Sequence, residues 1–171
     1  MSIPRETLAK YITPRCRFVE TGTRWGDTCI RAVELGAGSV MSCESDWIFY
    51  ALAQQHIEDA LRERAIHVHL FYETSEEFLA DGVFLRVTTP VVLLLDAHTE
   101  SHSPVLTELH LLERGKAPSV ILIDDMRLFR DGTWRITEQQ VIDAVKRVDP
   151  NYVISYDLGY QADDILVARL P

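Results

Sequence analysis

Short, dense apolar runs alternate along this chain with longer segments whose apolar residues recur every three or four positions. The runs read as strands: "RFVET" (17–21), "SVMSCES" (39–45), "AIHVHLFYE" (65–73), "VVLLLDAHTE" (91–100) up to its Asp96, and "SVILIDD" (119–125). The segments between them read as helices. Residues 25–35 place Trp25, Cys29, Ala32 and Val33 on one face and end at "GAG", and residues 46–64 begin with Asp46 as N-cap. A short helix opened by Ser75 is expected over 75–84. Another is expected over 103–115, with Pro104 near its first turn and Gly115 past its end, and a third over 137–149, capped by Thr137. "MRLFRDGTWRI" (126–136) interrupts the alternation, and "YVISYDLG" and "ADDILVARLP" close the chain as two strands joined by a short turn.

Strands that are apolar throughout must be covered on both faces, and their alternation with helices defines a parallel sheet in an α/β sandwich. The last two strands leave no room for a crossover helix, so they pair antiparallel, giving a seven-stranded, mostly parallel sheet with a C-terminal hairpin. A chain of 171 residues fits one domain, taken here as 1–171. In such sheets ligands bind at the carboxyl ends of the strands. Glu20, Glu44, Glu73, Asp96, Asp124 and Asp125 all fall there.

Composition narrows the partners. An apolar fraction of 47% with 25% charged residues is that of a soluble globular protein. A net charge of −9 argues against binding a nucleic-acid backbone. Cys16, Cys29 and Cys43 show neither CxxC nor zinc spacing. No apolar stretch is long enough to span a bilayer, and the first residues lack the apolar core of a secretory signal, so a cytoplasmic location is expected.

"FVETGTRWGDT" puts Gly22 and Gly26 in the first strand-to-helix turn, as E-T-G-x-x-x-G. Gly22 permits a tight turn and close approach of a ligand, and the helix beginning near Trp25 would aim free N–H groups at it. This is not the GxGxxG spacing of a dinucleotide fold, so a nicotinamide dehydrogenase is disfavoured. Glu20 suits a cationic ligand, and Glu44, at the next strand end, can accept both hydroxyls of a ribose. A plain loop with an exposed Glu is the alternative.

The chain resembles the class I S-adenosylmethionine-dependent methyltransferases, a Rossmann-like fold, over nearly its whole length. "VETGTRWGDT" looks like their first motif, "SCESD" like their ribose-binding acidic turn, and the final strand pair like their hairpin. The resemblance implies that Glu20, Thr21, Gly22 and Gly26 lie at the methionine part of S-adenosylmethionine. It places Glu44 at the ribose, Glu73 to Ser75 near the adenine, and Thr28, Ser45 and Asp96 at the cofactor as well.

Asp96 and the pair Asp124–Asp125 end neighbouring strands, 28 and 29 residues apart, so the three carboxylates can converge. Clustered anions repel unless a cation neutralises them, and oxygen-only ligands suit Mg²⁺ or Mn²⁺. The alternative has Asp124 capping the next segment, Asp125 pairing with Arg127 or Arg130, and Asp96 binding only the cofactor amine. "LLLDAH" and "LIDDMR" are similar to the corresponding positions of catechol-type and macrocin-type metal-dependent O-methyltransferases, and to small FkbM-like proteins of that fold, which makes Asp96, Asp124 and Asp125 the implied metal ligands. His98, two residues past Asp96, is the candidate base that takes a proton from an acceptor hydroxyl. His56, His67, His69 and His110 read as structural, and His102 as a substrate contact at most.

Members of these types usually carry extra N-terminal helices or a lid. Here the candidate cover is 126–136, where Arg127, Phe129, Arg130 and Trp134 would grip an acidic or planar substrate or pack a dimer edge, and an oligomeric partner would complete the pocket. The leading expectation is an O-methyltransferase of a small-molecule hydroxyl that uses Mg²⁺, with Asp96 and His98 as catalytic residues. The competing readings are a metal-free methyltransferase with His98 as base and an S-adenosylmethionine-binding protein without methyl transfer.

Overall fold

The computed structural model describes residues 3–64, 66, 68–82 and 86–171. A single helical turn, α1 (Arg5–Leu8), precedes β1 (Arg17–Thr21), α2 (Asp27–Glu34), β2 (Ser39–Glu44), α3 (Trp47–Leu61) and β3 (Val68–Tyr72). Then come α4 (Ser75–Asp81), β4 (Val91–Leu95), α5 (Val105–Leu112), β5 (Val120–Ile123) and α6 (Met126–Arg130). The chain closes with α7 (Glu138–Val148), β6 (Val153–Asp157) and β7 (Ile165–Arg169). The strands form one sheet in the order β3-β2-β1-β4-β5-β7-β6, parallel from β3 to β5, with β7 antiparallel to both β5 and β6.

The apolar runs earn their place by alternation across the sheet. In β4, Val91, Leu93 and Leu95 join the core under α4, α5 and α7, while Val92 and Leu94 join the core under α1, α2 and α3. Each such side chain contributes roughly 1.5–3 kcal/mol on burial, so a strand covered on both faces has no polar position to spare. The edge strands β3 and β6 are only partly covered.

Helix starts follow cap chemistry. Asp46 Oδ1 accepts from the N–H groups of Ile48 and Phe49, and Thr137 forms a capping box with Gln140, as expected. The helix at 75 begins where expected, but Thr74 rather than Ser75 is its cap, reciprocated by Glu77. Residues 83–84 of that expected helix, like Ala65 and His67 of the third strand, lie outside the described residues. α2 starts at Asp27, two residues later than expected, because Gly26 at φ 81° forms the cap, and Trp25 is left half-exposed in the turn, edge-on to Phe49.

The segment 126–136 corrects the expectation of a substrate cover. It folds as α6 plus a turn, and Phe129 and Trp134 are buried in the core, 4.7 Å apart ring to ring. Apolar burial outweighed a role at the surface for these two rings. Arg130 is paired with Glu138. Among the described residues no helix is long and apolar enough to cross a membrane.

Candidate functional site

Five strand ends come into line because their ladders extend one residue beyond each strand. Gly22 and Thr23 N–H both donate to Cys43 O (3.1 and 3.0 Å), Glu73 N–H to Glu44 O, Asp96 N–H to Thr21 O and Asp124 N–H to Leu95 O (each 3.2 Å). This edge carries a crevice of about 1070 Å³ bordered by the glycine turn, the β2 and β3 ends and the loop 96–100.

Gly22 (φ 82°) is glycine for two reasons. The left-handed backbone disfavours a side chain, and a Cβ there would stand 2.8 Å from Asp96 O and 2.9 Å from Ala97 Cα, both backbone atoms. The β1 and β4 turns therefore touch. At Gly26 (φ 81°) a Cβ would meet the Ile57 side chain instead.

Glu44 is nearly buried and held by the backbone: Oε2 accepts from Arg24 N–H (2.8 Å) and Oε1 from Asp46 N–H (2.9 Å). Each oxygen keeps a lone pair for a ligand hydroxyl. Glu20, 1% exposed, accepts from Ser42 Oγ (3.2 Å) and Cys29 Sγ (3.1 Å), and burial pushes its carboxyl up to about 7. Thr28 also bonds Glu20. Of the residues expected at a cofactor, Glu20, Gly22, Thr28, Glu44, Ser45, Ser75 and Asp96 line the crevice. Thr21 and Gly26 do not. Thr21 faces the opposite side of the sheet, where its hydroxyl bonds Glu108, and Gly26 shapes the turn from beneath.

The fourth and fifth strand ends are built from charge. His98 Nε2 stands 3.2 Å from Asp125 Oδ2 and 3.9 Å from Asp96 Oδ1, with its Nδ1 3.2 Å from Thr99 O. Arg127 pairs with Asp125 Oδ1 at 2.5 Å and also with fully buried Asp164. Asp124 Oδ1 accepts from Asp125 N–H, and Asp125 adopts a left-handed backbone, φ 61°. Burial, joined by repulsion from Asp124, Glu20 and Asp125, raises Asp96 well above the usual carboxylate range, and burial next to Asp125 pushes Asp124 up to about 7. Burial opposes ionisation of Asp125 too, but His98 and Arg127 outweigh it and hold that carboxyl low. His98 is raised, chiefly by its hydrogen bond to Asp125.

The expected set Asp96, Asp124 and Asp125 is thereby divided. Among the described residues the donor atoms that lie within 4.8 Å of one another are those of Asp96, His98 and Asp125, and separately those of Asp124, Asp125 and Asp164. Asp125, at φ 61°, belongs to both groups, and Asp124 only to the second, although its charge still acts on Asp96.

Two residues, Asp164 and Glu108, escape sequence reasoning. Asp164, from the "ADD" before the last strand, anchors Arg127 through both its backbone N–H (2.9 Å) and its guanidinium. Arg127 pairs with Asp125, as the alternative reading of the sequence has it, and adds Asp164 as a second partner. Glu108 sits on the buried stripe of α5 with Val105, Leu109 and Leu112, bonds Thr21 and Ser75, and leaves Oε1 without a partner among the described residues. The signal was an acid at helical spacing among apolar residues.

No family model matches this chain, and no curated protein matches it in sequence. Solved structures do match it. The O-methyltransferase from Bacillus cereus, in complex with SAH (S-adenosylhomocysteine), superposes with a TM-score of 0.64 at 14% identity over 96% of this chain and 76% of that one. SAH-bound Podospora anserina methyltransferase PaMTH1 gives 0.67 at 14% identity over 98% and 76%. Strand order, the antiparallel hairpin and these superpositions define the fold as that of the class I S-adenosylmethionine-dependent methyltransferases.

Proposed function

We propose that the chain is an S-adenosylmethionine-dependent O-methyltransferase that acts on a small-molecule hydroxyl. The observation that carries this reading is the meeting of the Gly22 turn with the β4 turn beside Glu44 in one large crevice. A nucleoside ribose has its acceptor in Glu44, and a sulfonium and ammonium have Glu20 and Asp96. The two similar structures hold S-adenosylhomocysteine. Calorimetry with S-adenosylhomocysteine tests the reading: micromolar binding, lost in Glu44→Ala, is expected, and no heat of binding for the parent protein would end it.

The metal reading changes with the geometry. Asp96, His98 and Asp125 fit a divalent cation as a mixed oxygen and nitrogen donor set, which suits Mn²⁺ or a similar ion better than Mg²⁺. The second set fits poorly, because the Arg127 guanidinium already bonds Asp125 and Asp164. If His98 donates Nδ1–H to Thr99 O, its Nε2 presents a lone pair to two carboxylates, an arrangement that calls for a proton or a metal ion between them. When bound, the cation would supply Lewis acidity towards an acceptor hydroxyl. His98 then cannot also serve as free base, since both roles need the same lone pair. Titration with Mn²⁺ and Mg²⁺ in parallel discriminates: Mn²⁺ binding that vanishes in Asp125→Asn is expected, whereas equal, weak binding of both ions by parent and variant would remove the metal.

A further inference from the structure

Glu108 is a buried acid with no part in the site described above. It is 1% exposed, on the α5 stripe with Val105, Leu109 and Leu112, and bonds the hydroxyls of Thr21 and Ser75. Its Oε1 has no partner among the described residues, so both hydroxyls meet Oε2. Those hydroxyls are themselves committed. Thr21 Oγ1 accepts from the Asp96 N–H at 3.4 Å, and Ser75 Oγ donates to Glu76 Oε2 at 3.2 Å. A serine hydroxyl has one hydrogen, so with that hydrogen on Glu76 the bond between Ser75 and Glu108 must be donated by Glu108. A neutral acid does this and leaves its carbonyl oxygen bare, at far less cost than a buried carboxylate would incur. Hydrogens then run one way beneath the crevice: Asp96 N–H to Thr21, Thr21 O–H to Glu108, Glu108 O–H to Ser75, and Ser75 O–H to Glu76.

Both ends of this chain of bonds reach the crevice, since Asp96 and Ser75 line it. Resting on the functional reading above, we propose that Glu108 is a positioning residue: as a neutral acid it ties Ser75, at the start of α4, to the Asp96 turn, and the cofactor binds the chain in that protonated form. Loss of the proton reverses the last bonds. Ser75 must turn its hydrogen from Glu76 to Glu108, and two carboxylates then flank one serine in the first turn of α4. Burial lifts the Glu108 carboxyl to about 7, which brings this change close to neutral pH. The groups around it do not counter the change with a cation. Glu76 of α4 opposes ionisation, the Cys43 thiol of β2 is held neutral by burial, and β1 brings the Thr21 hydroxyl. β4 has no titratable side chain, and α7 turns its Arg147 to Glu113 at the end of α5.

The experiment measures S-adenosylhomocysteine affinity of the full chain and of Glu108→Gln, a permanently neutral substitute, at pH 6 and pH 8.5. Other acids and His98 titrate in both proteins alike, so the ratio of the two dissociation constants isolates Glu108. The ratio of parent to variant should be about one at pH 6 and about tenfold at pH 8.5, the parent being the weaker binder. A group that only stabilises the fold would leave this ratio flat, and a flat ratio overturns the role of Glu108 while the functional reading stands. Failure of the parent to bind at either pH ends the functional reading, and amide exchange without ligand then judges Glu108 by itself. Faster exchange in the first turn of α4 in the parent than in Glu108→Gln at pH 8.5, with α3 unchanged, is expected. Equal exchange there overturns its hold on Ser75.

Discussion

The two halves of the crevice floor solve one problem by different means. On the β1–β2 side, acidic groups are held by neutral donors: Glu44 by two backbone N–H groups, Glu20 by a hydroxyl and a thiol. On the β4–β5 side they are held by charge: Asp125 and Asp164 by Arg127, and Asp125 again by His98. Backbone donors are rigid and leave lone pairs for a ligand, as the proposed nucleoside site requires. Ion pairs can exchange partners, as the proposed acceptor and cation site requires.

The sharpest break of the neutral half is Gly22→Ala. Its Cβ would press on backbone atoms of Asp96 and Ala97 at a left-handed residue, so neither side can yield. A loss of at least about 4 kcal/mol is expected from denaturant unfolding. Gly26→Ala, which meets only a side chain, should cost less.

On the charged half, Arg127→Met strips Asp125 and Asp164 of their shared cation. Removing one partner of a buried pair costs about 3 to 5 kcal/mol. The low end is expected because Arg127 keeps 26% of its side chain in solvent while Asp164 keeps none. Thermal unfolding of the variant beside Arg127→Lys measures this, and an unchanged midpoint in the methionine variant would show that the ion pairs are idle.

Glu108 sharpens the comparison through pH. Burial raises its carboxyl from 4.5 to about 7, so the folded chain keeps a proton that the unfolded chain has already released. Its contribution to stability is therefore intact below pH 4.5, declines as pH rises towards 7, and is fully lost above that. Glu108→Gln should gain on the parent across that window, reaching about 2 to 3 kcal/mol at pH 8 and nothing at pH 4. Denaturation midpoints at the two pH values check it. A constant offset would mean that Glu108 titrates normally.

The smallest effect is expected at Glu44→Gln, which keeps an acceptor for one amide but loses the charge-assisted bonds to a ribose. Affinity for S-adenosylhomocysteine should fall about tenfold, with the fold intact.

Particular residues show what could be read in advance. Val91 to Leu95 and Val120 to Ile123 announce central strands because two-sided burial leaves no polar position. Asp46 and Thr137 announce helix starts because capping is local. Phe129 and Trp134 misled, since nothing in a short aromatic segment says whether it covers a ligand or fills a core. Asp124 and Asp125 announce a cluster of acids, but their spacing does not say that Asp125 shares one group with Asp96 and His98 and another with Asp124 and Asp164.

The sequence by itself therefore determined the α/β alternation, the hairpin at the end of the sheet, the Gly22 turn and the line of acids along one edge. All of these follow from periodicity, turn chemistry or strand length, which act over a few residues. Only the tertiary structure decided which acids share a cation. Arg127 meets Asp164 across 37 residues, and Glu108 meets Thr21 and Ser75 from another layer. Such partners are chosen by the angle of a backbone turn and by which face of the sheet a side chain occupies, and neither is fixed by local pattern.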